Sequence, residues 1–369
     1  MVLTNAQTLA WRLGRHSLDP VAATTVVDVA QRVLALRGWP SDVTEQAIRA
    51  RQLLQPDPDA LSRTLDAGEV IRSYAFRGGS YVFTPDIGAV LLSARTATQI
   101  WQTRRWQKQG EFSINDWETL RDVVCAALSA GPLTRDEIGA HLAQIPHLRH
   151  LAAGAAGAGA DSLYKPLHWW GDICFGPTRD GQATFRLLRG DPHWPGLPDV
   201  DEAGRRAIIL YLGAYGPATI ENLVYWLAEG LGTPRRRILG WLADLGDEVT
   251  AMTVDNLPAF ALTADLDEMS DAEPSDAVRL LPAFDPWILG PGTADARLLV
   301  PQRRALISHG ANFVICGGVV SGTWRLRGKD VMVSWFTEVA SAPMTALRDE
   351  VGRLSEIRKD ELTLAIAFA

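Results

Sequence analysis

The chain contains little cysteine: Cys125, Cys174 and Cys316 are far apart in 369 residues. An odd, widely spaced set predicts neither a disulfide framework nor a cysteine metal site. No apolar run reaches the roughly 18 residues that a membrane span needs, and the first residues lack the basic-then-apolar pattern of a secretion signal. These absences predict a cytoplasmic protein with no membrane partner.

An excess of positive charge is also missing. The chain has 36 Lys and Arg residues against 43 Asp and Glu residues, which gives a net charge of -7. Proteins that coat nucleic acid need clustered cations to neutralise phosphates. Any nucleic-acid-binding face of this chain is therefore expected to be local.

Motifs for common cofactors and nucleophiles are absent. The sequence has no Gly-Lys-Ser/Thr phosphate loop, no Gly-x-Ser-x-Gly elbow and no dinucleotide fingerprint. His141, His147 and His150 lie near one another in the sequence, but no cysteine accompanies them and only the last two could share a helical turn. We therefore expect no cofactor and no metal site.

Two stretches about 85 residues apart begin alike, Ala130-Gly131-Pro132-Leu133-Thr134 and Tyr215-Gly216-Pro217-Ala218-Thr219. Each follows an amphipathic segment and precedes a second helical pattern and then a hairpin. This order is typical of a winged helix-turn-helix. Its repetition predicts a DNA-binding protein built from tandem units.

The first predicted unit covers residues 1–112. Thr4 and Gln7 have capping-box spacing at the start of a helix. Further helical patterns cover residues 21–36 and 42–54, and two strand patterns cover 70–76 and 80–83 with Arg77-Gly78-Gly79 as the turn. Three helices and a hairpin predict a winged-helix variant.

The second predicted unit covers residues 113–198, with helices at 116–129 and 135–145 and strands at 173–175 and 183–188. The alanine- and glycine-rich run 152–160 predicts a mobile loop. Asp161 is expected to cap a third helix whose core face leaves three side chains pointing elsewhere, at the place of a DNA-reading helix: Tyr164, Lys165 and His168. Core packing is the alternative for these aromatic rings.

The third predicted unit covers residues 199–268, with helices at 203–214, 219–228 and 234–245 and a hairpin from 248–250 to 259–262. Arg235, Arg236 and Arg237 place three cations at the positive end of a helix dipole, which is unfavourable unless an anion lies nearby. We predict that they contact DNA phosphates. The alternative is that they are solvated or paired with the acids around Asp265 to Asp271.

The last predicted domain covers residues 269–369, after an acidic linker at 265–276. Strand-like runs at 280–281, 298–300, 313–316, 319–324 and 331–336 suit a small barrel or curled sheet, and a helix at 342–357 is expected to close the chain. Arg325, Arg327 and Lys329 in this domain are predicted phosphate contacts. The fold class is thus α+β: three tandem winged-helix units followed by a small β-rich, barrel-like domain.

In their shared order, several fragments make the chain similar to the winged-helix DNA-binding family that includes the AlkZ-like bacterial DNA glycosylases. They are Thr4 to Leu18, Arg77-Gly78, Phe175-Gly176-Pro177, Tyr211 to Pro217, Leu281 to Pro286 and Gly322-Thr323-Trp324. The resemblance implies a concave surface that faces double-stranded DNA, either intact or damaged. We expect a nucleoid-associated protein that is a monomer.

The resemblance also implies a catalytic Gln-x-Gln or Gln-x-Asp pair, and this chain has Arg37 and Trp39 at those positions. Tyr81 likewise stands where the family's Arg-Gly-Thr-x-His hairpin motif, which begins here at Arg77, has histidine. Hydrolysis of an N-glycosidic bond requires groups that hold a water and stabilise positive charge. Arginine and the tryptophan indole donate hydrogen bonds and accept none. Arg37 instead suits a phosphate and Trp39 a stacked base, which favours binding without cleavage.

Alternatives remain at several points. Trp39 could be a hydrophobic lid between helices, and Asp42 or Glu45 could be a displaced catalytic carboxylate, although such residues commonly cap a helix start. The chain would then be a glycosylase of altered chemistry that acts on alkylated or crosslinked bases. A third alternative is a ligand-responsive winged-helix transcriptional regulator.

Overall fold

The computed structural model describes residues 2–53, 57–157 and 160–369. By its internal contacts the chain divides into two units, each made of separate chain segments. The first unit comprises Met1–Ala60, Ile208–Trp226 and Leu242–Ala369, and the second comprises Leu61–Ala207 and Leu227–Trp241. Helices and strands both contribute to each, which confirms the α+β class. None of the helices in these described ranges is long and apolar enough to cross a membrane.

Helices make up much of the chain before the last hundred residues. They are α1 (Asn5–Arg15), α2 (Val26–Val33), α3 (Ser41–Arg49), α4 (Ala60–Asp66), α5 (Pro85–Thr96), α6 (Arg104–Gly110), α7 (Trp117–Leu128), α8 (Arg135–Ala143), α9 (Ala152–Ala156), α10 (Asp161–Trp169), α11 (Val200–Tyr215), α12 (Ile220–Val224), α13 (Arg235–Asp244), α14 (Leu266–Asp271), α15 (Pro286–Leu289), α16 (Arg304–Ser308) and α17 (Met344–Arg358).

The strands are short except near the C-terminus. They are β1 (Val2–Leu3), β2 (Leu36–Arg37), β3 (Ile71–Tyr74), β4 (Ser80–Phe83), β5 (Leu133–Thr134), β6 (Ile173–Phe175), β7 (Thr184–Leu187), β8 (Val249–Val254), β9 (Leu257–Leu262), β10 (Val278–Leu281), β11 (Asn312–Cys316), β12 (Val319–Arg327), β13 (Asp330–Trp335) and β14 (Thr363–Phe368).

Helix α1 begins as its sequence predicts. Thr4 accepts a hydrogen bond from the Gln7 backbone, and the Gln7 side chain accepts one from the Thr4 backbone, so the capping box is complete. Leu9 and Leu13 then project into a core of the first unit that also contains Trp287. The N-terminal segment is thereby packed against residues near the other end of the sequence.

The largest sheet of the first unit has the order β10-β11-β12-β13-β14, with antiparallel pairs except for the parallel pair β13–β14. Strands β10 and β14 are its two edges, so it is an open sheet and the barrel-like expectation is corrected. Helix α17 covers it, with Leu347 and Val351 among the buried side chains.

Two predictions about this part of the chain are wrong. Residues 298–300 form no strand: Leu298 and Leu299 are buried in a turn, where their apolar side chains pack in the core and the Leu298 backbone oxygen accepts a hydrogen bond from the Val320 backbone at 2.8 Å. The helix predicted to close the chain is present as α17, but it is not the last element, because β14 follows it and pairs with β13. A parallel partner needs a long crossover connection, here α17, and leaves no hairpin signal in the sequence.

The hairpin predicted for residues 248–262 is present as β8 and β9. Asp255 and Asn256 join the two strands, and their φ angles of 43° and 68° suit a tight hairpin turn. Strand β1 pairs with β8 in parallel. The acidic linker prediction needs correction, because residues 266–271 form α14 and bury Met269. Asp265 just before α14 pairs with Arg15 at 2.6 Å.

The second unit contains the antiparallel hairpin β3–β4 and the three-stranded sheet β5-β7-β6, as the strand patterns predict. The alanine-rich run is not simply a loop. Residues 152–156 form α9, and Ala158 and Gly159 lie outside the described residues. Alanine favours helix, and Gly139 of α8 permits close packing because a β-carbon there would lie 2.9 Å from the carbonyl oxygen of Ala152.

Several helices are shorter than their patterns predict. Helix α2 ends at Val33 because Leu34 has a φ of 66°, outside the helical region. Helix α3 ends at Arg49, and Leu54, within the predicted 42–54 helix, lies outside the described residues. Neither α3 nor α10 has a side-chain cap, so the expected capping by Ser41 or Asp42 and by Asp161 is not observed. The boundaries of the four predicted domains stay predictions.

Candidate nucleic-acid interface

The loop between α2 and α3 carries Arg37 and Trp39, the two residues that the resemblance predicts to stand in place of a catalytic pair. Nε of Arg37 donates a hydrogen bond to the backbone oxygen of Trp39 at 3.1 Å, and the Thr44 hydroxyl donates to the backbone oxygen of Arg37. The Trp39 side chain is left 66% exposed. An indole this accessible can meet a ligand and does not form a buried lid between helices.

A buried ion pair supports the neighbouring turn. Arg51 donates hydrogen bonds to both carboxylate oxygens of Asp285, at 2.9 and 2.7 Å, and to the backbone oxygen of Ala47. Phe284, which has a φ of 58°, precedes this aspartate, and its ring lies 5.8 Å below the Arg37 guanidinium. The loop is therefore held by Thr44 of α3, and the turn is held by Arg51, which follows α3 and donates a hydrogen bond back to it.

A tyrosine hydroxyl fixes the entry to this loop. Tyr215 donates a 2.7 Å hydrogen bond to the backbone oxygen of Val33, the last residue of α2. Arg12 in turn donates to the backbone oxygen of Tyr215 at 2.6 Å. Burial lowers the pKa of Arg12 to about 10, so its guanidinium stays charged near neutral pH. These buried hydrogen bonds hold the end of α2 in place, and the loop begins directly after it.

The two carboxylates proposed as displaced bases differ in environment. Glu45 forms an ion pair with Arg49 one helical turn away, at 3.0 Å. Asp42 is exposed in the first turn of α3, and its side chain has no hydrogen bond or ion pair within the part of the chain that the structure describes. Only Asp42 is thus available to a ligand without loss of an ion pair.

The β3–β4 hairpin of the second unit exposes Arg77 and buries Tyr81. Arg77 has a φ of 49° within the three-residue turn Phe76–Gly78. Tyr81 is only 4% exposed, with its ring 5.1 Å from that of Phe76. Arg77 can therefore reach a ligand, whereas Tyr81 is part of the hairpin packing.

Lys165 of α10 lies beside the same hairpin tip, since a β-carbon at Gly78 would be 3.1 Å from its ammonium nitrogen. Its charge is balanced by Asp161 at 3.1 Å, which also accepts hydrogen bonds from Arg135 and Tyr74. Burial alone would raise the pKa of Asp161, but Lys165 and Arg135 lower it. Lys165 is thus held in a structural network at the tip.

Tyr164 and His168 do not face away from the core, so that expectation is wrong. Both are buried: the Tyr164 ring lies 4.5 Å from that of Phe185, and Nδ1 of His168 lies 2.9 Å from the Ser73 hydroxyl. Burial lowers the pKa of His168 to about 3, so the ring is neutral. Helix α10 contacts α5 and α6 as well as β3 and β6, which buries more than one of its faces.

The three arginines at the start of α13 divide into two kinds. Arg237 pairs with Asp201 at 2.8 Å, and hydrogen bonds from Arg237 and Trp241 lower the pKa of Asp201 to about 2. The predicted acids near Asp265 are therefore not its partners. Arg235 and Arg236 are exposed, and neither has an ion pair among the described residues.

Arg325, Arg327 and Lys329 are all exposed, at the end of β12 and in the hairpin that follows. Arg325 and Arg327 point to the same face, because side chains alternate along a strand. Lys329 lies 3.6 Å from Asp360. Within the part of the chain that the structure describes, the two arginines thus have no ion pair, whereas Lys329 has one.

The first unit also has a cavity of about 430 Å³ whose lining includes Arg15, Arg32 and Asp28. Arg32 pairs with Asp28 at 2.7 Å, and Arg15 pairs with Asp265 and Glu268. The cations of this cavity are therefore already neutralised. Across residues 2–53, 57–157 and 160–369, no group of three or more His, Cys, Asp or Glu side chains is arranged to hold a metal ion.

Comparison with known proteins identifies the class to which this fold belongs. The model of the family described as DNA glycosylase AlkZ-like matches residues 44–357. The Interstrand DNA cross-link repair glycosylase of Streptomyces sahachiroi is 30% identical over 355 residues, which cover 95% of each chain. The chain therefore belongs to the AlkZ-like DNA glycosylase family, and the predicted resemblance is confirmed.

A solved structure agrees with this assignment. Streptomyces sahachiroi DNA glycosylase AlkZ has a TM-score of 0.93 to this chain at 30% identity and covers all of both chains. The similarity confirms tandem helical segments followed by a β-rich C-terminal part. The family-model match begins at Thr44, after the Arg37–Trp39 loop. Residues 37–39 therefore lie outside the part of the chain that the family model matches.

Proposed function

We propose that this chain binds damaged double-stranded DNA through the Arg37–Trp39 loop and does not hydrolyse the N-glycosidic bond there. The observation that carries the proposal is the 66% exposure of Trp39 next to Arg37, at the positions where the family resemblance implies a pair of acceptor side chains. An exposed indole can stack on an unpaired base. A guanidinium can bind a phosphate.

The chemistry of the two side chains separates recognition from cleavage. A glycosylase must hold a water molecule against the sugar and stabilise an oxocarbenium-like transition state. Arg37 carries a permanent positive charge, which would oppose that state, and neither side chain can accept a hydrogen bond from water. The loop can therefore retain a base or a phosphate while it lacks the groups that activate water.

Crosslinked or alkylated DNA is the proposed ligand. The similar Streptomyces sahachiroi protein is named for repair of interstrand crosslinks. Flipping costs least when a base is damaged or mispaired, so an exposed stacking surface favours such sites over intact duplex. The three predicted winged-helix units, residues 1–112, 113–198 and 199–268, are proposed to bind duplex DNA, and residues 269–369 are proposed to form the β-rich domain that follows them.

Binding measured by fluorescence anisotropy tests this proposal. The protein is titrated with matched duplexes that contain a crosslink, an alkylated purine or no damage. We expect tighter binding to the damaged duplexes and a difference that shrinks when Trp39 is replaced by alanine. Equal affinity for all duplexes, or no duplex binding at low salt, contradicts the proposal.

Glycosylase activity with a displaced carboxylate is the second candidate function. Membership of the family favours it, and Asp42 is an exposed carboxylate three residues after Trp39. A carboxylate can accept a proton from water and stabilise the developing positive charge. Protein-dependent base release that is lost in Asp42→Asn supports this candidate over the first.

A further inference from the structure

A basic segment of the second unit has no part in the interface described above. Between Asp86 and Glu111 the sequence contains no acidic residue, although the whole chain has a net charge of -7. The same segment contains four cations, of which three lie in α6: Arg95, Arg104, Arg105 and Lys108. Positive charge is therefore concentrated in a protein that is acidic elsewhere.

The three cations of α6 are accessible. Arg104, Arg105 and Lys108 are exposed, and none of them has an ion pair within the described ranges. Some other cations at the predicted interface are paired, as Lys165 and Arg237 are. Arginine and lysine without carboxylate partners keep their full attraction for an external anion.

The fourth cation ties this segment to the start of α13. Arg95 lies 4.5 Å from the Trp169 ring and donates a 2.5 Å hydrogen bond to the backbone oxygen of Leu231. A β-carbon at Gly232 would lie 2.8 Å from the methyl carbon of Thr98. The end of α5 therefore packs against the residues that lead into Arg235 and Arg236.

Chain length limits how far apart the two groups of free cations can be. Arg104 follows Thr98 by six residues, and Arg235 follows Gly232 by three. At about 3.4 Å per extended residue, and with Thr98 in contact with Gly232, their α-carbons lie within about 35 Å of each other. That limit is roughly one turn of a DNA duplex.

We infer that Arg104, Arg105 and Lys108 join Arg235 and Arg236 in one phosphate-binding face that contacts the sugar-phosphate backbone of duplex DNA. The inference rests on the proposed DNA binding and adds a surface that does not read damage. Trp106, the aromatic residue of α6, is half-buried and donates its indole hydrogen to the backbone oxygen of Ser162 at 2.9 Å. With Trp106 held inward, α6 presents charge and no stacking surface.

The test compares two triple variants that remove the same charge. The first is Arg104→Gln/Arg105→Gln/Lys108→Gln. The control is Arg348→Gln/Arg358→Gln/Lys359→Gln, which removes three exposed cations that have the acids Asp349, Glu356 and Asp360 as sequence neighbours. Duplex affinity is measured over a series of salt concentrations. The slope of log K against log salt is negative, and each lost phosphate contact reduces its magnitude by about 0.9.

We expect the magnitude of the slope to be smaller by about 2 to 3 for the α6 variant, with the same fold-loss of affinity for damaged and undamaged duplex. The control variant should have the same slope as the unmodified protein. A charge-conserving variant, Arg104→Lys/Arg105→Lys, should keep most of that slope. Urea unfolding midpoints verify that each variant is folded.

Two results overturn the inference. They are an unchanged slope for the folded α6 variant and an equal reduction in both triple variants. If the unmodified protein binds no duplex at low salt, the proposed function fails as well. Duplex binding by the unmodified protein thus tests the proposed function, and the difference between the two triple variants tests the role of α6.

Discussion

Arg51 and Asp285 form a buried ion pair with two hydrogen bonds, at 2.9 and 2.7 Å, although 234 residues separate them in sequence. Neither side chain reaches solvent. The same aspartate accepts a hydrogen bond from the backbone of Trp287 at 2.8 Å and thereby caps α15. One carboxylate therefore connects Arg51, two residues after the end of α3, to the turn that carries Phe284.

Asp285→Ala is expected to lower the free energy of unfolding by about 3 to 5 kcal/mol, because it leaves the Arg51 guanidinium buried without its counterion. Arg51→Met/Asp285→Leu removes both charges and should cost clearly less. Urea denaturation of both variants provides the comparison. A change below about 1 kcal/mol in Asp285→Ala would show that the pair contributes little.

Trp39→Ala is expected to leave the free energy of unfolding within about 0.5 kcal/mol of the unmodified protein, because the side chain is exposed. It should weaken binding to damaged duplex by about 1 to 3 kcal/mol, the usual contribution of a stacked base. Phe368→Ala is the matched control, since Phe368 is 64% exposed and lies far from the loop in sequence. Equal losses of affinity in both variants would argue against stacking by Trp39.

Stability is expected to decrease below about pH 6.5. Burial lowers the pKa of His168 to about 3 and also lowers that of His16. The unfolded chain therefore binds protons that the folded chain does not, so the stabilisation present above pH 6.5 is lost as the pH falls toward 3. Each such histidine contributes at most about 1.4 kcal/mol per pH unit.

The histidine prediction is tested with His168→Asn, which can keep a polar atom near the Ser73 hydroxyl. Unfolding free energies are measured at pH 7 and pH 5 for both proteins. The variant should lose less stability between these two values than the unmodified protein loses. Identical losses would mean that His168 does not contribute to the pH dependence.

Gly139→Ala is expected to destabilise the second unit by about 1 to 3 kcal/mol through overpacking, even though alanine favours helix by nearly 1 kcal/mol over glycine. The reason is that the new β-carbon would approach the Ala152 oxygen to 2.9 Å. Gly154→Ala in α9 meets no atom within 4 Å and should be stabilising. Thermal unfolding of both variants distinguishes these effects, and a stabilised Gly139→Ala would contradict close packing of α8 on α9.

Local sequence signals predict much of the fold. The capping box at Thr4 and the hairpin β3–β4 depend on neighbouring residues, and both are present in the structure. Signals that depend on distant partners are weaker. Strand β14 requires β13 as a parallel partner, and the apolar pair Leu298 and Leu299 is buried in a turn. Periodicity alone does not distinguish such packing from strand pairing.

At the candidate site too, the sequence predicts local properties better than packing against distant elements. Exposure of Trp39, Arg77, Arg235 and Arg325 agrees with the roles predicted for them, but their contact with DNA stays a prediction. Tyr164 and His168 are buried because α10 packs on several elements, and one helical face gives no indication of that. The basic residues of α6 are a signal that the sequence does contain, since no acidic residue lies between Asp86 and Glu111.

Base release measured together with binding on the same alkylated and crosslinked duplexes tests the central claim most directly. Our account predicts salt-dependent binding of the unmodified protein with no protein-dependent release of base, because Arg37 and Trp39 provide no acceptor for the attacking water. Arg37→Gln/Trp39→Gln then shows whether the scaffold becomes active with acceptors restored. Release by the unmodified protein that disappears in Asp42→Asn or Glu45→Gln would contradict binding without cleavage and establish a displaced catalytic carboxylate.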